Sequence, residues 1–168
     1  MTNNMKKHNF FAGPAILPAS VIKEASAAAA DWNGMGLSIL EISHRSKEFV
    51  AILDEAEALI RELLNVSDDY AVLFLTGGAS SQFYMTAMNI LGKDETACYT
   101  DTGTWSTKAI KEAKHFGNVE VIASSADKNF SYIPKDYEIP AHAKYLHLTS
   151  NNTIFGTQLQ EFLSLIHI

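Results

Sequence analysis

The sequence predicts an α/β fold, a mainly parallel sheet flanked by helices. From Ala71 onward, short apolar runs alternate with stretches of helical periodicity, and glycine-bearing turns separate them. With 47% hydrophobic and 19% charged residues over 168 positions, the chain also carries enough apolar material for the core of one globular domain.

The elements follow in order. Pro18-Ala19-Ser20 opens a helix through the Ala-rich residues 21–31, and Gly34 and Gly36 end it in a loop. From Ser46, the apolar residues Phe49, Ile52, Leu53, Ala56, Leu59, Ile60 and Leu63 recur at helical spacing opposite a charged face, which predicts a helix over 47–64. Ala71 to Leu75 is a strand candidate, and after Gly77-Gly78 a helical pattern runs from Ser80 to Leu91 and stops at Gly92. Thr96 to Thr100 is a second strand, Asp101-Thr102-Gly103 a turn, and Thr104 to Phe116 a helix closed by Gly117. Val119 to Ala123 and Lys144 to Thr149 supply two further strands. Sheets of this kind bind ligands outside the carboxyl ends of their strands, so the informative residues lie directly after strands.

Composition narrows the partners. A formal net charge of -6 with no run of Lys or Arg argues against nucleic acid, whose phosphates are held by clustered cations. No stretch approaches the roughly 18 consecutive apolar residues of a membrane span, and Gly13-Pro14 interrupts the start before a signal-like apolar core develops. The expectation is a cytoplasmic protein with a small-molecule ligand. The single cysteine, Cys98, cannot form an internal disulfide, and the six histidines show no ligand spacing, so no metal is expected.

Four segments carry chemistry. Thr76-Gly77-Gly78-Ala79-Ser80-Ser81 lies between a strand and a helix, where small residues and free amino-terminal N–H groups suit a phosphate. It has neither GxGxxG nor a GK[ST] ending, and a tight turn with Ser80 as N-cap is the plainer alternative. In Ser43-His44-Arg45, the planar guanidinium fork suits a carboxylate or phosphate, with a surface ion pair to Glu41 or Glu48 as the alternative. Asp101-Thr102-Gly103-Thr104-Trp105 puts an indole at a helix start, where it could stack on an aromatic ring or pack in the core. Thr149-Ser150-Asn151-Asn152-Thr153 adds hydroxyls and amides after a strand, and alone it is only a polar loop.

Together these segments resemble the phosphoserine aminotransferases in order and spacing. The start Asn9-Phe10-Phe11-Ala12-Gly13-Pro14-Ala15 with Leu17-Pro18, the blocks Asp31-Trp32-Asn33-Gly34 and Glu41-x-Ser43-His44-Arg45-x-Lys47-Glu48-Phe49, and Gly77-Gly78-Ala79-Ser80-x-Gln82-Phe83 carry the likeness. Thr102-Gly103-x-Trp105-Ser106 and Ser150-Asn151-Asn152-Thr153-Ile154 extend it.

The resemblance implies the incomplete large domain of a fold type I aminotransferase that uses pyridoxal 5'-phosphate (PLP). It further implies that the backbone at Ala79 and Ser80 holds the cofactor phosphate, Trp105 stacks on its ring, Thr153 hydrogen-bonds it, and His44 with Arg45 recognises substrate. Some members carry Gly-Arg where this chain has Ala79-Ser80, so a phosphate here would be held without arginine charge. The implied reaction is amino transfer from glutamate to 3-phosphohydroxypyruvate, giving phosphoserine and 2-oxoglutarate in serine biosynthesis, with a possible second service to pyridoxine biosynthesis and a homodimer for the full-length parent. The family's Schiff-base lysine follows the threonine block, whereas the last lysine here, Lys144, precedes Thr153; no residue of this chain is assigned that role. The chain, 1–168, is therefore expected to be an inactive amino-terminal part, with the apolar residues 162–168 a tail foreign to the family. A short non-catalytic protein that binds PLP or a phosphometabolite, and a related PLP enzyme with other substrates, are the competing readings; the His44-Arg45 block speaks against the last.

Overall fold

A computed structural model describes residues 7–161, which fall into two compact units, 1–75 and 76–168. The expected foreign tail lies outside the described residues.

The first unit contains α1 (Ala19–Ala30) and α2 (Lys47–Leu64). Between them, Trp32 N–H donates to Leu37 O at 2.7 Å and Gly36 N–H to Asp31 Oδ1 at 2.8 Å, and Ile39 N–H returns to Ala28 O at 3.0 Å. These bonds fold the glycine loop back on α1. Helix α2 begins where Ser46 Oγ accepts from Phe49 N–H at 3.2 Å and ends at Asn65, whose left-handed φ of 52° stops the spiral. Arg61 then ties the following segment to the helix: it pairs with Glu57 Oε1 at 2.8 Å and donates to the carbonyls of Ser67 and Tyr70 at 3.1 and 3.0 Å.

One expectation fails here. Residues 71–75 form no strand, and Leu73 and Phe74 are 70% and 53% exposed. A strand exists only by pairing, and the described elements of this unit are the two helices alone, so an apolar β-prone run has no ladder to join.

The second unit is built on α3 (Ala79–Ile90), β1 (Thr96–Asp101), α4 (Thr104–Ala113), β2 (Asn118–Ser124) and β3 (Ala143–His147). The strands form a parallel sheet in the order β2-β1-β3, as the alternation predicts. The central strand is buried on both faces through Ala97, Cys98, Tyr99 and Thr100, which is why it reads as a continuous rather than alternating run. Helices α3 and α4 pack on each other and α4 packs on β1, with Ala87, Leu91, Ala97, Tyr99, Ala109, Ile110 and Ala113 forming the core. The many alanines let these backbones approach closely. At Gly117, a Cβ would stand 2.6 Å from Gly92 O, so the turn after α4 admits no side chain.

Boundaries shift slightly from the sequence reading. Helix α4 stops at Ala113, with Lys114 to Phe116 in turns, and β3 leaves the ladder after His147 rather than at Thr149. The polar segment after β3 is a short antiparallel hairpin, β4 (Asn151–Asn152) with β5 (Thr157–Gln158), which sequence reading took for an irregular loop.

Candidate functional site

Three connections of the second unit border one cavity of about 650 Å³: the start of α3 at Gly78, Ala79 and Ser80, the start of α4 at Trp105, and the segment His147 to Asn151 after β3. The β1 and β3 connections both follow the carboxyl ends of parallel strands, where such sheets bind ligands.

Gly78, not Ser80, occupies the N-cap of α3, and no side chain caps it. Ser81 N–H and Gln82 N–H both turn back to Gly78 O, at 2.9 and 3.3 Å, so the N–H groups of Ala79 and Ser80 precede the first intrahelical bonds. With the helix dipole behind them they would suit an anion. Gly77 makes the turn possible: its φ is +110°, and a Cβ there would meet Ser81 Oγ at 2.6 Å.

Trp105 owes its position to the turn before α4. Ser106 Oγ accepts from the N–H groups of Thr102 and Gly103 at 2.8 and 2.9 Å, and Thr107 Oγ1 donates to Asp101 Oδ1 at 2.9 Å. This set of bonds fixes the first turn of the helix and leaves the indole half-buried at the cavity wall rather than in the core. Its Nε1–H donates to Thr153 Oγ1 at 2.9 Å, and Lys108 Nζ stands 4.9 Å over the ring. Thr153 follows directly on Asn152, which is fully buried and donates through Nδ2 to Thr102 Oγ1 at 3.2 Å. The turn and first residues of α4 are thus tied at two points, Thr102 and Trp105, to Asn152 of β4 and Thr153 just after it.

Of the residues singled out from sequence, the structure brings Ala79, Ser80 and Trp105 to one cavity and bonds Thr153 to Trp105. His44 and Arg45 lie exposed in the first unit, in a tight turn closed by Ser46 N–H to Ser43 O at 2.9 Å just before α2. Glu41 and Glu48 are not ion-paired with Arg45 among the described residues; Glu41 Oε2 instead accepts from Ser38 N–H at 2.8 Å. Lys144 pairs with Glu95 at 2.9 Å near the amino ends of β1 and β3, away from the strand ends that border the cavity.

Sequence reading passed over His147, and it named Asn152 only as part of a polar segment without a role of its own. His147 lies two residues from Tyr145 on β3, and that period-2 spacing places both on the face against Tyr99.

Free helix-start amides, an aromatic wall and a set of hydroxyls and amides would suit a small ring that bears a phosphate, and among the described residues no Asp or Glu lines the cavity. The fold and cavity therefore define an α/β protein with a ligand-sized cavity at the carboxyl ends of its parallel strands. The chain belongs to the class-V aminotransferase family, whose model matches residues 8–168. It is 58% identical over 160 residues to the phosphoserine aminotransferase of Bacteroides thetaiotaomicron, covering 95% of this chain and 44% of that protein. Its structure superposes with a TM-score of 0.88 on phosphoserine aminotransferase from Bacillus circulans subsp. alkalophilus, at 45% identity over 94% of this chain and 44% of that one. A PLP-bound phosphoserine aminotransferase from Trichomonas vaginalis matches with a TM-score of 0.85 at 33% identity, over 94% and 45% of the two chains. The chain spans under half the length of the curated relatives it matches.

Proposed function

We propose that this chain is the cofactor-cradling part of a phosphoserine aminotransferase that moves an amino group from glutamate to 3-phosphohydroxypyruvate. The observation that carries the reading is the convergence of the α3 amino terminus and Trp105 on one cavity, in a chain of the class-V aminotransferase family. PLP, when bound, supplies an electron sink for charge developing at the substrate carbon that exchanges the amino group.

The residues divide the remaining tasks. Ala79 and Ser80 bind the cofactor phosphate through backbone N–H groups and the Ser80 hydroxyl, so that the ring is located by hydrogen bonds and the helix dipole. Trp105 stacks on the ring and helps to exclude water from one face. Thr153 Oγ1 accepts the indole N–H, which leaves its own hydroxyl proton for a hydrogen bond to the cofactor. Arg45 binds the carboxylate or phosphoester of the substrate as a bidentate fork, with His44 adding a further hydrogen bond. No lysine within these 168 residues is assigned the covalent role. The reading extends to a homodimeric, cytoplasmic protein of serine biosynthesis that also serves pyridoxine precursors.

Two measurements test the proposal. Calorimetric titration of the chain with pyridoxamine 5'-phosphate, which has no aldehyde to react with surface lysines, should show saturable binding that unphosphorylated pyridoxamine lacks. Coexpression with the carboxyl-terminal remainder of the Bacteroides thetaiotaomicron relative should then give glutamate-dependent amination of 3-phosphohydroxypyruvate. Equal affinity for the two probes, or an assembled pair active on other oxo acids only, would remove the assignment.

A further inference from the structure

Among the described residues, His147 is the one titratable side chain that lines the cavity; no Lys, Arg, Asp or Glu of these residues does so. It lies nearly parallel to the Tyr99 ring, with centroids 4.8 Å apart and 20° between planes, and edge-on to Phe83 at 6.1 Å and 82°. Its Nδ1 is shielded from solvent and has no hydrogen-bond partner in another residue; the backbone of His147 itself is the one hydrogen-bonding group that acts on the ring.

The groups that face His147 are known from each element packed on it. From β1, Tyr99 presents its ring, and its hydroxyl is engaged with Tyr145 of β3 at 2.7 Å; burial pushes both phenols up, so they stay neutral at ordinary pH. From α3 the neighbour is Phe83. From α4, the Lys108 ammonium stands 4.9 Å over the Trp105 ring and does not line the cavity. No charged side chain acts on it; burial lowers the proton affinity of the imidazole and outweighs the hydrogen bond with its own backbone, which acts the other way, so the neutral form is favoured.

A phosphate monoester changes this balance. It brings a charge of about -1.5 to -2 at neutral pH into a cavity whose lining offers amides, hydroxyls and aromatic rings but no cation. An imidazolium in the position of His147 would answer that charge and would itself be stabilised over the face of Tyr99.

We propose that His147 is the charge-balancing group of this cavity: when a phosphate monoester settles on the α3 amino terminus, His147 takes up one proton from solvent, and ligand binding is thereby coupled to protonation. The imidazole gains a proton and a positive charge, the buffer loses that proton, and no other bond is made or broken. This inference rests on the cofactor reading of the same cavity.

The test is calorimetric titration of the chain and of His147→Gln with pyridoxamine 5'-phosphate, and with pyridoxamine as the phosphate-free control. It is run over about pH 6 to 8 in buffers of different ionisation enthalpy. Proton uptake by the wild-type chain with the phosphorylated probe, reduced in His147→Gln, supports the proposal. The ratio of variant to wild-type Kd should then fall by up to about tenfold per pH unit as pH rises, because the probe's own titration cancels between the two proteins. Equal proton uptake by both proteins overturns the inference and leaves the cofactor reading intact. A wild-type chain that binds neither probe overturns both. Where the variant loses its native tyrosine signal in near-ultraviolet circular dichroism, the wild-type His147 ring is followed by NMR instead. A shift to the imidazolium position with pyridoxamine 5'-phosphate alone supports the proposal, and an unmoved ring rejects it.

Discussion

Trp105 and Thr153 stand 48 residues apart in sequence and are joined by a hydrogen bond of 2.9 Å from the indole Nε1–H to the threonine hydroxyl. The bond links the first turn of α4 to the segment after β4, so one contact fixes the aromatic wall of the cavity against the neighbouring strand connection.

Replacing Trp105 should therefore act on binding. Stacking is worth about 0.5–1.5 kcal/mol beyond burial, so Trp105→Ala should raise the Kd for pyridoxamine 5'-phosphate by at least roughly 2- to 12-fold. Thr153→Val, which keeps the shape and deletes the acceptor, should show a smaller loss. Calorimetry on both variants measures this, and an unchanged Kd in Trp105→Ala would reject the stacking role.

Gly77→Ala should cost stability and phosphate affinity together. The left-handed φ of +110° alone costs a side-chain-bearing residue about 1–3 kcal/mol. Relief would require the turn to move, and with it the Ala79 and Ser80 N–H groups. A lowered urea midpoint with unaltered affinity for the phosphorylated probe would show that the cradle does not depend on this turn.

The Tyr99–Tyr145 pair sets an alkaline limit. Burial, and then the hydrogen bond to Tyr145, raises the Tyr99 pKa above that of the unfolded chain. The stability it contributes is therefore present below about pH 10 and is lost as pH rises beyond that value. Tyr99→Phe should lower stability by about 1 kcal/mol at neutral pH through the lost hydrogen bond. It should also flatten the decline in urea midpoint between neutral and strongly alkaline pH, and a decline as steep as that of the wild type would place the pH sensitivity elsewhere.

Arg45→Ala should separate substrate from cofactor. Loss of a hydrogen-bonded charge contact costs about 1.5–3 kcal/mol, so KM in the assembled transaminase should rise by at least about tenfold while the Kd for pyridoxamine 5'-phosphate stays unchanged. A kinetically silent substitution would release Arg45 from the substrate role.

Much of this was legible in the chain itself. The amphipathic spacing of Phe49, Ile52, Ala56 and Ile60 defined α2 to the residue, because one helix face repeats every turn whatever surrounds it. The Gly77-Gly78 step marked the turn before α3, where a φ of +110° suits glycine alone, and the strand–turn–helix order placed Trp105 beside the sheet edge.

What the sequence determined by itself was local: helix faces, glycine turns, and the motif blocks that gave the family and the expected cofactor residues. Tertiary structure decided what depends on partners distant in the chain. Residues 71–75 have the composition of a strand but acquire no ladder, because no extended segment pairs with them among the described residues. Ser80 resembles a cap in sequence, yet Gly78 occupies the N-cap. His147 gave no signal among six scattered histidines; only the approach of β1, α3 and β3 enclosed it between Tyr99 and Phe83 at a cavity without another titratable group. Burial and electrostatic environment arise from contacts between elements, and no local pattern of residues encodes them.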